Sequence, residues 1–163
     1  MKRVLNYING EHSGSSNKSK KIVNPAIGEA IGEVILSNED DFQNCIESSL
    51  EAQKEWSKQT PLKRSRVIAK FKELIEKNIN SLAELVCNEH GKTLDDAKGS
   101  ITRGLEVVEF ATGIPHLLKG EFSQNVGTNI DSWSVRQPLG VSAGITPFNF
   151  PAMVPMWMFP IAI

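Results

Sequence analysis

The side chain best suited to chemistry in this sequence is the carboxamide of Asn149. It lies in a Pro-Phe-Asn-Phe-Pro segment at residues 147–151 and is the only strongly polar side chain that follows Thr146. A buried amide without a hydrogen-bond partner costs on the order of 1–3 kcal/mol, so such an amide must find one. Either it caps its own turn, which is common for Asn, or it is held out for a ligand. The residues alone leave both interpretations open.

Two cysteines and three histidines are the other candidates for chemistry. Cys45 and Cys87 fall in predicted amphipathic helices and show neither a CxxC motif nor metal-ligand spacing. They are predicted to be reduced core thiols in a reducing compartment, without the neighbours that activate a nucleophile. The histidines are isolated from one another, so no catalytic role or metal site is predicted for His12, His90 or His116.

Composition and charge argue against several classes of protein. With 40% hydrophobic and 23% charged residues, the chain matches a soluble globular protein. A formal net charge of −1 argues against a broad basic face, so neither nucleic acid nor a membrane surface is predicted as a partner. The apolar residues 148–163 carry prolines and fall short of the ~20 residues that span a bilayer, so no membrane anchor is predicted. No secretion signal opens the chain; the predicted location is cytoplasmic, with the mitochondrial matrix left open.

The amino-terminal residues predict a small β unit. Residues 4–8 have the composition of a strand, and Asn9-Gly10 is the sequence of a type I′ hairpin turn. The polar residues 12–20 predict a loop, and residues 30–36 predict a returning strand.

Four amphipathic helices are predicted next, each with a start or stop signal. Their starts are predicted at Ser37 with Asp40, at Thr60-Pro61, at Asn78 or Asn80, and at Thr93 with Asp96. Gly91 is predicted to end the third helix, and the fourth is predicted to end near Pro115. Gly99 and Gly104 lie inside the fourth helix and cost about 1 kcal/mol each relative to alanine, so we expect another element to pack closely there.

The last part of the chain predicts a buried strand followed by a helix. Residues 120–128 are predicted as a loop, and residues 130–136 alternate like a strand with one wet face. The apolar residues 141–145 are typical of a buried parallel strand, and a helix is predicted from residue 153. The fold class is therefore α/β: the start of a doubly wound, Rossmann-like domain, with an amino-terminal β hairpin unit and four helices. Because the apolar run continues to Ile163 without a closing polar residue, we expect the chain to be part of a longer protein.

The Pro-Phe-Asn-Phe-Pro segment resembles a motif of the NAD(P)-dependent aldehyde dehydrogenase superfamily. Four further segments resemble that family in the same order: Tyr-Ile-Asn-Gly at 7–10, Asn-Pro-Ala-Ile-Gly-Glu at 24–29, Glu-His-Gly-Lys-Thr at 89–93 and Arg-Gln-Pro-Leu-Gly-Val at 136–141. The resemblance covers essentially the whole chain, as an amino-terminal region. Residues 102–111 and 148–160 are similar to one branch, the CoA-acylating methylmalonate-semialdehyde (malonate-semialdehyde) dehydrogenases.

This resemblance implies a reaction and a role for the residues of the motif. In the family a cysteine attacks an aldehyde, and the oxyanion that forms passes a hydride to NAD. In the branch, coenzyme A takes up the acyl group with loss of carbon dioxide. Asn149 would be the catalytic donor to the oxyanion, worth roughly 3 kcal/mol in comparable sites, and Thr146 and Phe148 would line the nicotinamide half of the NAD site. Neither cysteine of this chain matches the nucleophile, so residues 1–163 alone are expected to be inactive.

The branch also implies a semialdehyde substrate that carries a carboxylate, for which Arg103 is the candidate binding residue. A guanidinium binds a carboxylate through two parallel hydrogen bonds. The alternative is a solvated helix arginine that pairs with Glu106 or its neighbours.

The resemblance divides the chain into three parts. Residues 1–128 would be the amino-terminal part of the NAD-binding domain, residues 129–141 a strand or hairpin of an oligomerisation element, and residues 142–163 the first Rossmann strand and the start of its helix. Trp133 and Val135 would then belong to a sheet between subunits, and the full-length protein is expected to be a homo-oligomer, either a dimer or a tetramer.

Three functions stay open on the sequence. The first is the amino-terminal part of a CoA-acylating semialdehyde dehydrogenase that acts in valine, pyrimidine or inositol breakdown. The second is a hydrolytic aldehyde dehydrogenase, which releases a free acid and needs a Glu base to activate water. The third is a non-catalytic binding or interaction remnant, which a reading frame that closes directly after Ile163 would favour.

Overall fold

The amino-terminal strands form a small sheet and a separate hairpin. The structure, a computed structural model, describes residues 2–163, so Met1 of the predicted 1–128 unit lies outside the described residues. The strands are β1 (Lys2–Val4), β2 (Asn6–Ile8), β3 (Glu11–Ser13), β4 (Ser19–Asn24) and β5 (Glu29–Ile35). Strand β5 is central, parallel to β1 and antiparallel to β4. The predicted strand at residues 4–8 is divided at Leu5, because β1 pairs with β5 whereas β2 pairs with β3.

The turn between β2 and β3 has the predicted type I′ geometry. Asn9 and Gly10 have φ angles of 53° and 81°, and both central residues of a type I′ turn require positive φ. The predicted loop at residues 12–20 is shorter than expected, because its two ends extend β3 and β4.

The four predicted helices are present. They are α1 (Glu39–Trp56), α2 (Pro61–Lys77), α3 (Ile79–His90) and α4 (Leu94–Thr112), and the short α5 (Ile114–Leu117) follows around Pro115. The hydroxyls of Thr60 and Thr93 cap α2 and α4 as predicted, and Gly91 ends α3 with a φ of 84°. The capping box of α1 was predicted one residue too early, because Asn38 and Asp41 form it instead of Ser37 and Asp40.

Helix α4 is the centre of the hydrophobic core. Its apolar face packs against α2, α3 and a last helix, α6 (Met153–Ala162). The buried residues of this core are Ile68, Ala83, Val86, Ala97, Ile101, Leu105, Val108, Ala111 and Met156. The two thiols are free, but Cys45 is exposed and Cys87 only partly buried, so the prediction of two core thiols was wrong for Cys45.

The segment between α5 and α6 differs most from the prediction. Residues 122–127, predicted as a loop, form β6 (Phe122–Gly127), which pairs antiparallel with β7 (Ile130–Trp133) in an exposed hairpin. Residues 141–145, predicted as a buried parallel strand, form no strand, and Ile145 is 96% exposed. A strand needs a neighbour that satisfies its backbone groups, and no strand of residues 2–163 lies beside this segment.

The fold class is α/β, as predicted, and the helix predicted from residue 153 is present as α6. The division at residues 128 and 141 stays a prediction. None of the helices described is both long and apolar enough to cross a bilayer.

Candidate active site

The site begins with a close contact between α4 and α6. Gly104 is buried on α4, and a Cβ built there would lie 3.3 Å from the Cα of Met153 and 3.2 Å from the Cβ of Met156. The absence of a side chain at Gly104 therefore lets α6 approach the α4 backbone, as predicted. Gly99 was predicted to do the same, which was wrong, because no atom of another element lies within 4 Å of a Cβ built there.

A tryptophan side chain bonds α6 to the same turn of α4. The Nε1–H of Trp157 donates to the carbonyl oxygen of Arg103 at 3.2 Å. This bond and the Gly104 contact fix the start of α6 beside Arg103. The turn that holds residues 147–151 comes directly before α6, and its residue Phe150 lies near Lys92 and Arg103, beside the amino-terminal half of α4.

Two cations lie close to the ring of Phe150. The Nζ of Lys92 is 4.5 Å from the ring centroid, and the guanidinium carbon of Arg103 is 5.9 Å from it. Cations within about 6 Å of an aromatic centroid are attracted by the ring quadrupole. The half-buried Phe150 is therefore the side chain that anchors the turn to α4.

Lys92 is almost covered although it is charged. Its side chain is 7% exposed, and its Nζ lies 3.1 Å from Asp96 Oδ2 and 3.3 Å from Ser100 Oγ. These partners compensate the ammonium for most of the water that it loses. Lys92 comes directly after Gly91, which ends α3, so the short connection between α3 and α4 places it over the ring.

Asn149 lies in the exposed turn that precedes α6. No side-chain hydrogen bond holds its amide among the described residues, so local turn capping does not account for it. The neighbouring side chain of Phe148 is 91% exposed. Thr146 is exposed on the same turn. Asn149, Thr146 and Phe148 thus share one accessible segment, and Phe150 is its anchored residue.

Arg103 is exposed on α4, and its side chain forms one hydrogen bond, through Nε. Its Nε–H donates to the carbonyl oxygen of Gly99 at 3.4 Å, and its guanidinium lies beside the Phe150 ring. No ion pair with Glu106 or another carboxylate occurs among residues 2–163, so the alternative of a helix ion pair is not observed. Its terminal nitrogens face solvent and remain available to a carboxylate.

The structure thus joins two sites that lie far apart in sequence, Arg103 and the turn of Asn149. Lys92 was missed by the sequence reasoning. The signal was its place in the Glu-His-Gly-Lys-Thr segment at 89–93, which resembled the family without receiving a role.

The larger clefts of the molecule lie away from this turn. One of about 530 Å³ is lined by Trp56, Arg64 and residues 140–142, and another of about 510 Å³ is lined by Ala52, Gln59 and Lys63. Neither cleft contains Asn149 or Arg103, so the candidate site is identified from the geometry of the turn and not from cavity size.

Comparison with known proteins shows the class of protein to which this fold and turn belong. The sequence profile described as the aldehyde dehydrogenase family matches residues 12–163. The chain therefore belongs to the aldehyde dehydrogenase family.

Its relatives indicate a branch within that family. The chain is 50% identical to the malonate-semialdehyde dehydrogenase of Pseudomonas aeruginosa, over all of this chain and 33% of that protein. It is 45% identical to the malonate-semialdehyde dehydrogenase of Bacillus cytotoxicus, over all of this chain and 34% of that protein. The predicted resemblance is thus confirmed for the family and for the branch, and the chain spans about a third of the length of these relatives.

Solved structures give the same result. The chain matches the methylmalonate-semialdehyde dehydrogenase from Oceanimonas doudoroffii with a TM-score of 0.95 and 46% identity, over 99% of this chain and 33% of that one. It matches a structure named as the methylmalonate-semialdehyde dehydrogenase from Sinorhizobium meliloti 1021, complexed with NAD, with a TM-score of 0.94 and 50% identity, over 98% of this chain and 33% of that one.

Proposed function

We propose that the chain is the amino-terminal part of an NAD-dependent, CoA-acylating dehydrogenase of malonate semialdehyde or methylmalonate semialdehyde. The observation that carries the proposal is the amide of Asn149, exposed and without a hydrogen bond to residues 2–163, on a turn anchored next to Arg103. The names of the relatives support the choice of substrate class.

In this proposal the amide of Asn149 donates a hydrogen bond to the oxyanion that forms when a cysteine thiolate adds to the aldehyde carbon. A neutral donor stabilises the developing negative charge, whereas a carboxylate at this position would repel it. A hydrogen-bond donor stabilises the oxyanion most when its position is fixed before the reaction. The ring of Phe150 is anchored by Lys92, and it thereby fixes the backbone of the neighbouring Asn149.

The cofactor is proposed to be NAD, which accepts a hydride when bound. Thr146 and Phe148 would hold the nicotinamide half, Phe148 through its ring and Thr146 through its backbone. Both residues are exposed and lie on the turn of Asn149, so they are free to contact a planar ring. The relative from Sinorhizobium meliloti 1021 that is complexed with NAD supports this assignment.

The substrate is proposed to bind its carboxylate at Arg103. The solvent-facing nitrogens of this guanidinium can form two parallel hydrogen bonds with a carboxylate. The guanidinium of Arg103 lies 5.9 Å from the ring centroid of Phe150, the residue after Asn149, which supports binding of the carboxylate beside the turn that carries the amide.

The experiment that tests the role of Asn149 uses the complete gene product that carries this chain. Replacing one oxyanion donor lowers kcat roughly 100-fold to 1,000-fold in comparable enzymes, so Asn149→Ala should do the same, and Asn149→Asp should be at least as damaging. NADH formation from malonate semialdehyde is the measurement. The exposed helix residue Asn44 offers a matched control, and Asn44→Ala should keep full activity. A kcat for Asn149→Ala within threefold of the unchanged protein would contradict the proposal.

Coenzyme A is proposed as the second substrate, and the hydrolytic dehydrogenase is the alternative. The acyl product distinguishes them: the proposed enzyme forms an acyl-CoA and needs coenzyme A for repeated turnover, whereas the hydrolytic enzyme forms the free acid without it. The non-catalytic remnant is ruled out if the reading frame continues past Ile163 into a glycine-rich turn and a cysteine.

We also propose that the full-length protein self-associates and is cytoplasmic. The β6–β7 hairpin exposes Phe122, Ile130 and Trp133, which supports its role as an oligomerisation element in a dimer or tetramer. The two free cysteines agree with a reducing compartment such as the cytoplasm.

A further inference from the structure

We propose that Lys92 is a positioning residue that holds the amide of Asn149 in place through the ring of Phe150. The proposal rests on the oxyanion role proposed above for Asn149. It adds a residue that touches neither substrate nor cofactor and lies on a different part of the chain, the connection from α3 to α4.

The contacts of Lys92 make it a fixed cation. Its Nζ bonds to Asp96 Oδ2 at 3.1 Å and Ser100 Oγ at 3.3 Å, and the Ser100 hydroxyl in turn donates to the carbonyl oxygen of Asp96 at 2.8 Å. All of these partners lie in the first two turns of α4, which is the most buried helix. A lysine normally keeps its ammonium in water, and here 93% of the side chain is covered.

The free face of this ammonium is occupied by the Phe150 ring, 4.5 Å away at its centroid. Residues 134–147 form no regular structure and Phe148 is 91% exposed, so the turn has few other attachments. The carbonyl oxygen of Phe150 also accepts the Val154 N–H at 3.3 Å, which joins the same residue to α6. The backbone of Asn149 is therefore held from its carboxyl side by Phe150.

The consequence for catalysis follows from the precision that an oxyanion donor requires. A displacement of about 1 Å can lower a rate roughly 100-fold. Without the ammonium of Lys92, the ring of Phe150 is free to change rotamer. The amide of the neighbouring Asn149 is then partly displaced. We expect kcat for Lys92→Met to fall roughly tenfold. The KM for NAD and the dissociation constant for NAD should stay unchanged, because Lys92 contacts Phe150, which follows Asn149, whereas the proposed NAD-binding residues Thr146 and Phe148 precede it.

The experiment compares five variants of the complete gene product. Lys92→Met removes the charge and keeps the length, Lys92→Arg keeps a cation, and Phe150→Leu removes the ring. The double variant of Lys92→Met with Phe150→Leu tests whether the two act together. Lys98→Met is the matched control, because Lys98 is on α4 and has no ion pair or ring contact among residues 2–163. If Lys92→Met does not fold, Lys92→Gln replaces it, since an amide can keep the bonds to Asp96 and Ser100.

The expected result has three parts. The kcat of Lys92→Met falls roughly tenfold, whereas Lys92→Arg keeps at least half of the kcat of the unchanged protein. The double variant is no slower than Phe150→Leu alone, because the effects of two residues that act through one contact do not add. Equal kcat for Lys92→Met and Lys98→Met, or fully multiplicative losses in the double variant, would overturn the proposal.

Asn149→Ala separates this proposal from the one on which it rests. If Asn149→Ala abolishes turnover while Lys92→Met does not change it, the oxyanion role stands and the positioning role fails. If Asn149→Ala leaves kcat unchanged, both fail.

Discussion

Gly104 on α4 faces the backbone of Met153 on α6 so closely that a Cβ at position 104 would lie 3.3 Å from the Cα of Met153. This contact sets the distance of α6 from α4. It thereby places the start of α6, and the turn before it, beside Arg103.

A side chain at position 104 should push α6 away. We expect Gly104→Ala to lower the free energy of unfolding by roughly 1–3 kcal/mol, because added methyl groups in a packed contact force the backbone to shift. Gly99→Ala on the same helix is the control, and it should raise stability by about 0.5–1 kcal/mol, since nothing lies near its Cβ. Urea unfolding followed by circular dichroism measures both changes. Equal changes for the two variants would show that α6 does not rest on Gly104.

The capping carboxylate of α1 should make stability depend on acid. The Ser15 N–H bonds to Asp41 Oδ1 at 2.7 Å and the Asn38 N–H to Oδ2 at 3.1 Å. These bonds, that of Ser15 first, hold the pKa of the Asp41 carboxyl below its usual value of 3.8. A lowered pKa in the folded state means that the stabilisation is complete above about pH 4 to 5 and is lost as the pH falls through the folded-state pKa.

Asp41→Asn should therefore flatten the acid side of the stability curve. The urea midpoint should fall less between roughly pH 6 and pH 3 in this variant than in the unchanged protein. Asp40→Asn, in the same first turn and exposed, should keep the original slope. Parallel curves for Asp41→Asn and the unchanged protein would mean that the cap does not titrate with folding.

Arg103 should decide between charged and uncharged aldehydes. In the complete gene product, Arg103→Ala should raise the KM for malonate semialdehyde roughly 10-fold to 100-fold, the range for loss of a charge-assisted pair. The KM for an uncharged aldehyde such as propanal should change less than threefold. Steady-state kinetics with both aldehydes is the measurement, and Arg66→Ala is the control, because Arg66 is an exposed arginine on a different helix, α2. Equal losses on the two aldehydes would exclude carboxylate binding by Arg103.

The exposed hairpin should carry the contact between subunits. Trp133 is 72% exposed on β7, and a charge at its position would have to be buried in any interface that covers it. We expect Trp133→Glu to shift the complete gene product to a smaller assembly, with the mass read by light scattering after size exclusion. Tyr7 is an aromatic residue of similar exposure, 68%, on β2, and Tyr7→Glu should leave the assembly unchanged. An unchanged mass for Trp133→Glu would remove the hairpin from the interface.

Local signals along the sequence determined most of the elements of this protein. Thr60, Thr93 and Gly91 act within one helix turn, and the Asn9-Gly10 turn needs only its own φ angles, so each could be predicted from neighbouring residues. The family motif at residues 147–151 is recognised from the order of its residues alone. It therefore indicated Asn149 as a candidate catalytic residue before any tertiary contact was known.

Tertiary structure alone decided which distant residues meet. Residues 141–145 have the composition of a strand, yet they form none, because strand pairing depends on a neighbour that the local sequence does not specify. The ring of Phe150 meets Lys92 and Arg103 only because α6 approaches α4 as closely as Gly104 permits. Contacts between residues more than 40 positions apart depend on helix packing, which the pattern of a single helix does not encode.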